Sequence, residues 1–526
     1  MPHTIARRTW VALATVILSS MSAHAQVTAA DYERAENLRQ RLEGLVVGAP
    51  ETPTWIDSTR FWYRKSVRGG SEFVLVDAVS LEKRPPFDHA RIATALSGAT
   101  KKRYTPITLP FNTFTFVDSS RALEITADSV RWRCKLSDYS CAKAPTRDSV
   151  RATPRQPGGG LYGAPPPWEE QPIVSPDSTR EVTVRNFNLF VRQLGASNWA
   201  ALSFDGMESD AYEWRTLVWS PDSKWIAVYR VRPGFRREVH YVQSSPEDQI
   251  QPKHSTRIYN KPGDVLDVER PVLFEIASGK QIVVDPALFP NAYDVTRLEW
   301  RKDSRSLTFE YNQRGHQAYR VIEIEAATGK PRAVINEEIA TFFSYSGKRF
   351  RYDIGGGKEM IWMSERDGWN HLYLYDGATG RVKNQITKGS WVVRSVEFVD
   401  TLARQITFRA SGMYAGKDPY FVHVYRINVD GTGLTPLTET DATHSVVFSP
   451  DRKFYVDTYS RVDLPPISEL RRTSDRTSIT RLERGDMSLL LAAGWRPAEV
   501  FTSTARDGKT DIWGVIVRPT NFDPSK

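Results

Sequence analysis

Few side chains in this sequence are equipped for covalent chemistry, and those present are informative by type and spacing. Its only two cysteines, Cys134 and Cys141, flank Lys-Leu-Ser-Asp-Tyr-Ser, a polar segment of turn length. That spacing predicts a disulfide closing one hairpin in an oxidising compartment, with two free thiols as the alternative. Nine histidines occur without a CxxC, HExxH or comparable cluster, so no metal site and no cofactor is expected. Acyl transfer by serine needs the nucleophile on a strained Gly-x-Ser-x-Gly turn. The glycine pairs Gly159/Gly163 and Gly412/Gly416 enclose Leu161 and Tyr414 instead, and the motif is missing. Gly355-Gly356-Gly357-Lys358 lacks the upstream glycine of a phosphate loop, and Arg484-Gly485-Asp486 reads as a surface turn.

The elements that must carry any site come from a repeated phrase whose most complete copy lies in residues 212–229. There Trp219 ends an apolar run, Ser220-Pro221-Asp222-Ser223 has turn chemistry with proline presetting φ, and Trp225-Ile226-Ala227-Val228-Tyr229 reads as a strand. Counting this one, eight copies start at Trp55, Phe116, Val174, Trp219, Trp300, Phe343, Phe398 and Phe448. Between them, alternating apolar residues run into glycine turns such as Ser278-Gly279, Thr328-Gly329, Thr379-Gly380 and Asp430-Gly431. Each repeat therefore offers two hairpins, enough for one four-stranded sheet. Propeller blades need about 40–50 residues apiece, and longer intervals imply insertions. The fold expected is all-β, an eight-bladed β-propeller, against the alternative of a two-sheet sandwich with a chance repeat.

Composition excludes other classes. Of 526 residues, 40% are hydrophobic and 25% charged, and the formal charge of +9 arises from 71 basic and 62 acidic residues spread along the chain. Such a dilute excess describes a solvated surface and not a nucleic-acid groove. Residues 1–25 read as a cleavable secretion signal, with Arg7-Arg8, a short apolar core and Ala23-His24-Ala25 before the cut. The core is too short for a permanent anchor, so no membrane span is expected after cleavage and the location expected is periplasmic or secreted. A short N-terminal helix is predicted over 28–45, capped by Thr28, with Leu38, Leu42 and Leu45 on one face. Residues 142–172 are rich in proline and glycine and read as an irregular insertion, while 233–264 reads as a projecting arm. A helix-prone stretch over 488–493 precedes two strands around Asp507-Gly508, a strong hairpin turn.

Several of these segments together resemble the dipeptidyl peptidase IV branch of the prolyl oligopeptidase-type serine peptidases. They are Trp219-Ser220-Pro221-Asp222 with its strand, Ser364-Glu365-Arg366-Asp367-Gly368-Trp369-Asn370-His371-Leu372-Tyr373, and Ile386-Thr387-Lys388-Gly389-Ser390-Trp391. Trp513-Gly514-Val515-Ile516-Val517-Arg518-Pro519 with Phe522-Asp523 is similar to the start of that family's α/β-hydrolase domain. The resemblance implies an eight-bladed propeller over 51–495 after an N-terminal helix at 26–50, and the first hairpin of a hydrolase domain over 496–526.

The resemblance also implies a catalytic Ser, Asp and His in the hydrolase domain, none of which is in this sequence, so the chain as written is expected to be catalytically silent. What it implies for the propeller is a grip on the free amino terminus of a peptide by acidic residues within Tyr-Glu-Glu-Glu, through charge-assisted hydrogen bonds. The corresponding stretch places Glu208, Asp210, Tyr212 and Glu213 as candidates, with Trp214 and Arg215 where further glutamates would stand. A solvated acidic loop is the plainer alternative. The function expected is the substrate-gating and peptide-binding part of a secreted serine exopeptidase; the alternative is a freestanding, non-catalytic propeller binding a peptide or protein. Its expected partners are a peptide substrate, its own hydrolase domain and, as in family members that pair through propeller arms, a second copy.

Overall fold

The computed structural model, which describes residues 29–144, 171–519, 522 and 525, turns the repeated phrase into hairpins through side-chain chemistry. The Ser220 hydroxyl donates to Asp222 Oδ1 at 2.7 Å and accepts from the Trp225 N–H at 2.9 Å, while Ser223 takes φ 61°. Ser175 and Asp177 repeat the arrangement at 2.6 Å, and Ser449 and Asp451 at 2.9 Å. The bonds from Ser175 and from the Thr179 backbone hold the Asp177 carboxyl down to about 2. A short polar side chain thus satisfies backbone donors in the turn and fixes where the next strand begins.

Eight sheets of four or five strands result among the described residues, each antiparallel, together with two separate hairpins. Two compact units divide them. One unit holds the first, second and eighth sheets. The first comprises Thr54–Trp55, Arg60–Val67, Gly70–Asp77 and Lys83–Arg84; the second comprises Phe114–Val117, Ala122–Ala127, Val130–Lys135 and Cys141–Lys143. The eighth comprises Thr443–Phe448, Phe454–Arg461, Leu464–Arg472 and Ser478–Arg484. The other unit, within 147–443, holds the third sheet through Ala200–Ala201, the fourth from Ala211–Tyr212 to Gln281–Val283, and the fifth from Ala292–Val295 to Pro331–Glu338. The sixth, from Arg351–Ile354 to Val382–Gln385, and the seventh, from Val392–Asp400 to Thr435–Pro436, complete it.

The sheets stack through both faces. In the first sheet Phe61, Tyr63, Val74 and Val76 pack with Val456 and Leu470 of the eighth, whereas the intervening Trp62, Phe73 and Leu75 pack with Phe114 and Leu123 of the second. In the fourth, Ile226 and Val228 meet Val182 and Leu189, and Ala227 and Tyr229 meet Leu307, Phe309 and Tyr311. Successive residues of one strand therefore serve two different cores, which is why the central strands are continuously apolar and not alternating.

Hydrogen bonds tie neighbouring sheets as well. The Trp219 indole donates to the Ile173 carbonyl at 3.0 Å, Trp300 to Val218 at 3.3 Å, and Trp55 to Val447 at 3.3 Å. The Asp177 N–H reaches Ser223 Oγ and the Asp222 N–H reaches Ser304 Oγ, both at 3.1 Å.

Three expectations change. The sixth repeat does not start at Phe343: its hairpin runs from Arg351–Ile354 to Glu359–Ser364, and its turn is Gly355-Gly356-Gly357, all at positive φ. Glycine supplies the left-handed backbone there that Ser-Pro-Asp supplies elsewhere, and Phe343 instead joins the core between the fifth and sixth sheets. A helix that periodicity did not signal, His89–Thr100, is capped by Asp88 and buries Ile92, Ala93 and Leu96. The leader helix ends earlier than the expected 28–45, spanning Ala29–Leu42; Leu38 and Leu42 are its half-buried positions and Leu45, also half-buried, lies beyond its end. Thr28, residues 1–25, where a secretion signal is expected, and most of the expected 142–172 insertion lie outside the described residues.

Replacing Trp219 by phenylalanine keeps most of the ring and removes its donor. Urea unfolding is expected to show a loss of about 1 kcal/mol for this change, and of about 3–5 kcal/mol for Trp219→Ala, which also opens a cavity. Equal losses in the two variants would rule out a separate contribution from the indole bond.

Candidate functional site

The residues singled out by sequence do not gather at one point. Glu208 is exposed. Asp210 is held between Arg230, at 3.1 Å, and Arg270, so its charge is already matched within the protein. Tyr212 is buried against Phe274, and its hydroxyl donates to Asp205 at 2.9 Å. Cys134 and Cys141 are cross-strand partners in the second sheet and are joined as a disulfide.

Glu213 has a different setting. Its N–H donates to the Tyr229 carbonyl at 3.0 Å, its carbonyl accepts from the Thr216 N–H at 3.0 Å, and it stands just before the short 3-10 turn Trp214–Thr216. The Thr216 hydroxyl accepts from the Tyr229 N–H at 2.9 Å, completing the link to the strand Trp225–Arg232. This lock fixes a half-buried glutamate near Glu269, which in turn feels Asp294, and sequence spacing connects none of the three.

The first is Glu269, opposite Val231 near the start of Val268–Glu275. Burial, followed by the charges of Asp294, Asp267 and Glu213, raises its carboxyl to about 8. The second is Asp294, near the end of Ala292–Val295 in the fifth sheet. It keeps access to solvent, yet the crowding around its carboxyl raises it too, against the opposing pull of Arg349 and the Val295 N–H. Arg349 is itself paired with the buried Glu310. Beneath them the buried Tyr229 donates to the Thr296 carbonyl at 2.8 Å and feels both Glu269 and Asp294.

An aromatic group adjoins Asp294. The Tyr293 and Tyr345 rings lie 5.7 Å apart, and His316 stacks on Tyr345 at 4.6 Å. Phe342 lies 5.1 Å from the His316 ring and is exposed. The arrangement combines carboxyls held partly out of water, one of them kept protonated near neutrality, with rings exposed beside them. Such a patch suits a small cation carrying an apolar group, because the cation would restore the ionised form of Glu269.

Sequence comparison matches residues 123–466 to the family described as Dipeptidyl peptidase IV (DPP IV) N-terminal region. A probable dipeptidyl-aminopeptidase B of Aspergillus fumigatus is 24% identical over 464 residues, covering 80% of this chain and 48% of its own. Its counterpart in Neosartorya fischeri is 24% identical with the same coverage. The chain spans about half the length of the curated relatives it matches. Among solved structures, Porphyromonas gingivalis dipeptidyl peptidase 4 aligns over 96% of this chain and 69% of its own, at 18% identity and a TM-score of 0.51, which is a likeness of fold.

The raised Glu269 carboxyl makes stability depend on pH. Between its ordinary value of 4.5 and about 8 the folded chain holds a proton that the unfolded chain has released. The stabilisation is therefore complete below the lower value and is lost as pH rises through the upper one. Unfolding of the parent chain and of Glu269→Gln, compared from pH 5 to 8.5, is expected to show the parent losing stability relative to the variant. Parallel profiles would contradict the assignment.

Proposed function

The chain belongs to the family of the dipeptidyl peptidase IV N-terminal region, and from that premise we propose that it is the peptide-binding and substrate-gating propeller of an exported serine exopeptidase. In this reading the eight sheets are eight blades over 51–495, residues 1–25 direct export and are removed, and the serine, aspartate and histidine of the reaction belong to an α/β-hydrolase domain. The hairpin Glu499–Thr504 and Asp511–Ile516 begins that domain. Its exposed Val500, Phe501, Ile512, Val515 and Ile516 support this, because a lone hairpin with apolar side chains in water is marginal. A second copy of the chain, pairing through the arm that exposes Tyr241, Val242 and Ile258, belongs to the same proposal.

The observation that carries the binding role is the convergence of Glu213, Glu269 and Asp294 beside Tyr293 and Tyr345. We assign to this patch the free amino terminus of a peptide. Its ammonium is held by the carboxylates, and the first side chain lies against the rings. A peptide with a blocked terminus carries no charge to ionise Glu269 and leaves Glu269 and the half-buried Glu213 unmatched. Discrimination then comes from the cost of leaving those groups unpaired.

Calorimetry with short Xaa-Pro and Xaa-Ala peptides tests this directly. Free-amine peptides are expected to bind with release of protons at pH 7, and Glu213→Gln or Glu269→Gln to weaken them by about 1.5–3 kcal/mol. Equal affinity for amino-acetylated peptides would remove the basis of the proposal. Hydrolysis of these peptides by the full natural protein, blocked by a serine-directed inhibitor, tests the peptidase assignment separately.

A further inference from the structure

The arm joined to the fourth sheet carries a feature that peptide binding does not use. Its strands Glu238–Gln243 and Lys253–Ile258 pair with His240 opposite Thr256 and Val242 opposite His254. His240 and His254 are therefore diagonal neighbours on one face of the ribbon, and both are exposed. Nδ1 of His240 lies 3.1 Å from Nε2 of His254 in hydrogen-bond geometry, with ring planes 21° apart.

We infer that this histidine pair is a binding site for one divalent transition-metal ion of the imidazole-preferring class, with Zn2+ as the reference ion. Two imidazole nitrogens each about 2.0–2.1 Å from a common ion, at adjacent positions of a tetrahedral or octahedral shell, stand about 2.9–3.4 Å apart. The observed separation falls within that interval, but the two rings now point at each other along a hydrogen bond, so binding one ion breaks that bond and turns the two exposed imidazoles until their lone pairs converge, while the strands stay as they are. Imidazole suits zinc, copper and nickel, whereas magnesium and calcium prefer oxygen ligands.

The base of the ribbon holds the pair in position. Arg237 grips Asp264 through two bonds of 2.7 and 2.6 Å, the Gly234 N–H donates to Asp267 at 2.7 Å, and the Tyr259 N–H donates to the Arg237 carbonyl at 2.9 Å. The strands between are paired at six successive positions. With the ribbon fixed, bringing the two rings onto one ion costs only the turning of two side chains and not the ordering of two strands. No group of three or more His, Cys, Asp or Glu side chains able to hold a metal occurs among the described residues, so the remaining coordination positions are left to water. The site is open, with fewer protein ligands than closed structural zinc, and is expected to bind more weakly than that class.

Titration of the metal-free full chain with Zn2+ by calorimetry is expected to show one such site per chain, with Mg2+ giving no binding. His240→Ala and His254→Ala, both at exposed positions, should each lower the affinity by about tenfold or more, with the circular dichroism spectrum unchanged. Absence of zinc binding by the parent chain overturns the inference, as does binding of unchanged affinity and stoichiometry in both variants. Neither outcome bears on peptide recognition by Glu213 and Glu269, which lie outside the arm.

Discussion

The constraint on which this structure depends is that a sheet apolar on both faces must be covered on both. Phe61 and Trp62 are adjacent in sequence and belong to different cores, as do Ile226 and Ala227. No one sheet is stable alone under this arrangement, and each supplies half of the interior of its neighbour. In three sheets a tryptophan at the end of a short strand, Trp55, Trp219 or Trp300, adds direction to the stacking. Its ring contributes apolar area and its indole N–H finds a carbonyl on the preceding sheet, so the same residue both fills and registers the contact. The Ser-Pro-Asp turns serve the same end through Ser223 and Ser304, which accept from the preceding turn.

Two-faced burial also limits where chemistry can be placed. A charged side chain in the middle of a central strand would enter an aromatic core on either face, and buried glutamates found there are matched within the protein. Glu310 accepts from Tyr319 and pairs with Arg349, and Glu337 accepts from Trp362 at 3.0 Å. Strand ends escape this restriction. Glu213 follows Ala211–Tyr212, Glu269 is the second residue of its strand, and Asp294 is next to last in its own. Carboxyls in these positions lose part of their hydration to neighbouring strands; Glu269 meets only other carboxylates there, and its upward displacement follows.

Legibility in the sequence divides along the same line. Strands and turns were readable because the Ser-Pro-Asp and Asp-Gly signals act over four residues, and seven of the eight starting positions coincide with first strands or their immediate approach. The sixth was misplaced because three glycines make its turn while Phe343 and Tyr345 imitate the phrase a few residues earlier. The helix His89–Thr100 was missed although Asp88 is an ordinary cap, because one short run of Ile92, Ala93 and Leu96 carries too little periodicity. Among acidic residues, proximity in sequence favoured Glu208 and Asp210. Arginines on paired strands neutralise Asp210, and Glu269 and Asp294 enter only through strand pairing and the packing of the fourth sheet on the fifth.

The arm and the acidic patch share one origin in this geometry. Trp225–Arg232 and Val268–Glu275 pair along eight positions before the chain leaves the sheet, and Glu269 sits one residue inside that exit. Just beyond it, Asp267 accepts from Gly234 and pairs with Arg236, spending one carboxylate to hold the base of the arm. Glu269, two residues on, forms no ion pair among the described residues, and the charge of Asp267 adds to the forces that keep it protonated. Anchoring the arm and perturbing the glutamate are thus two effects of the same strand exit. Lengthening either strand there would bury Glu269 further and at the same time displace the bonds that orient the ribbon.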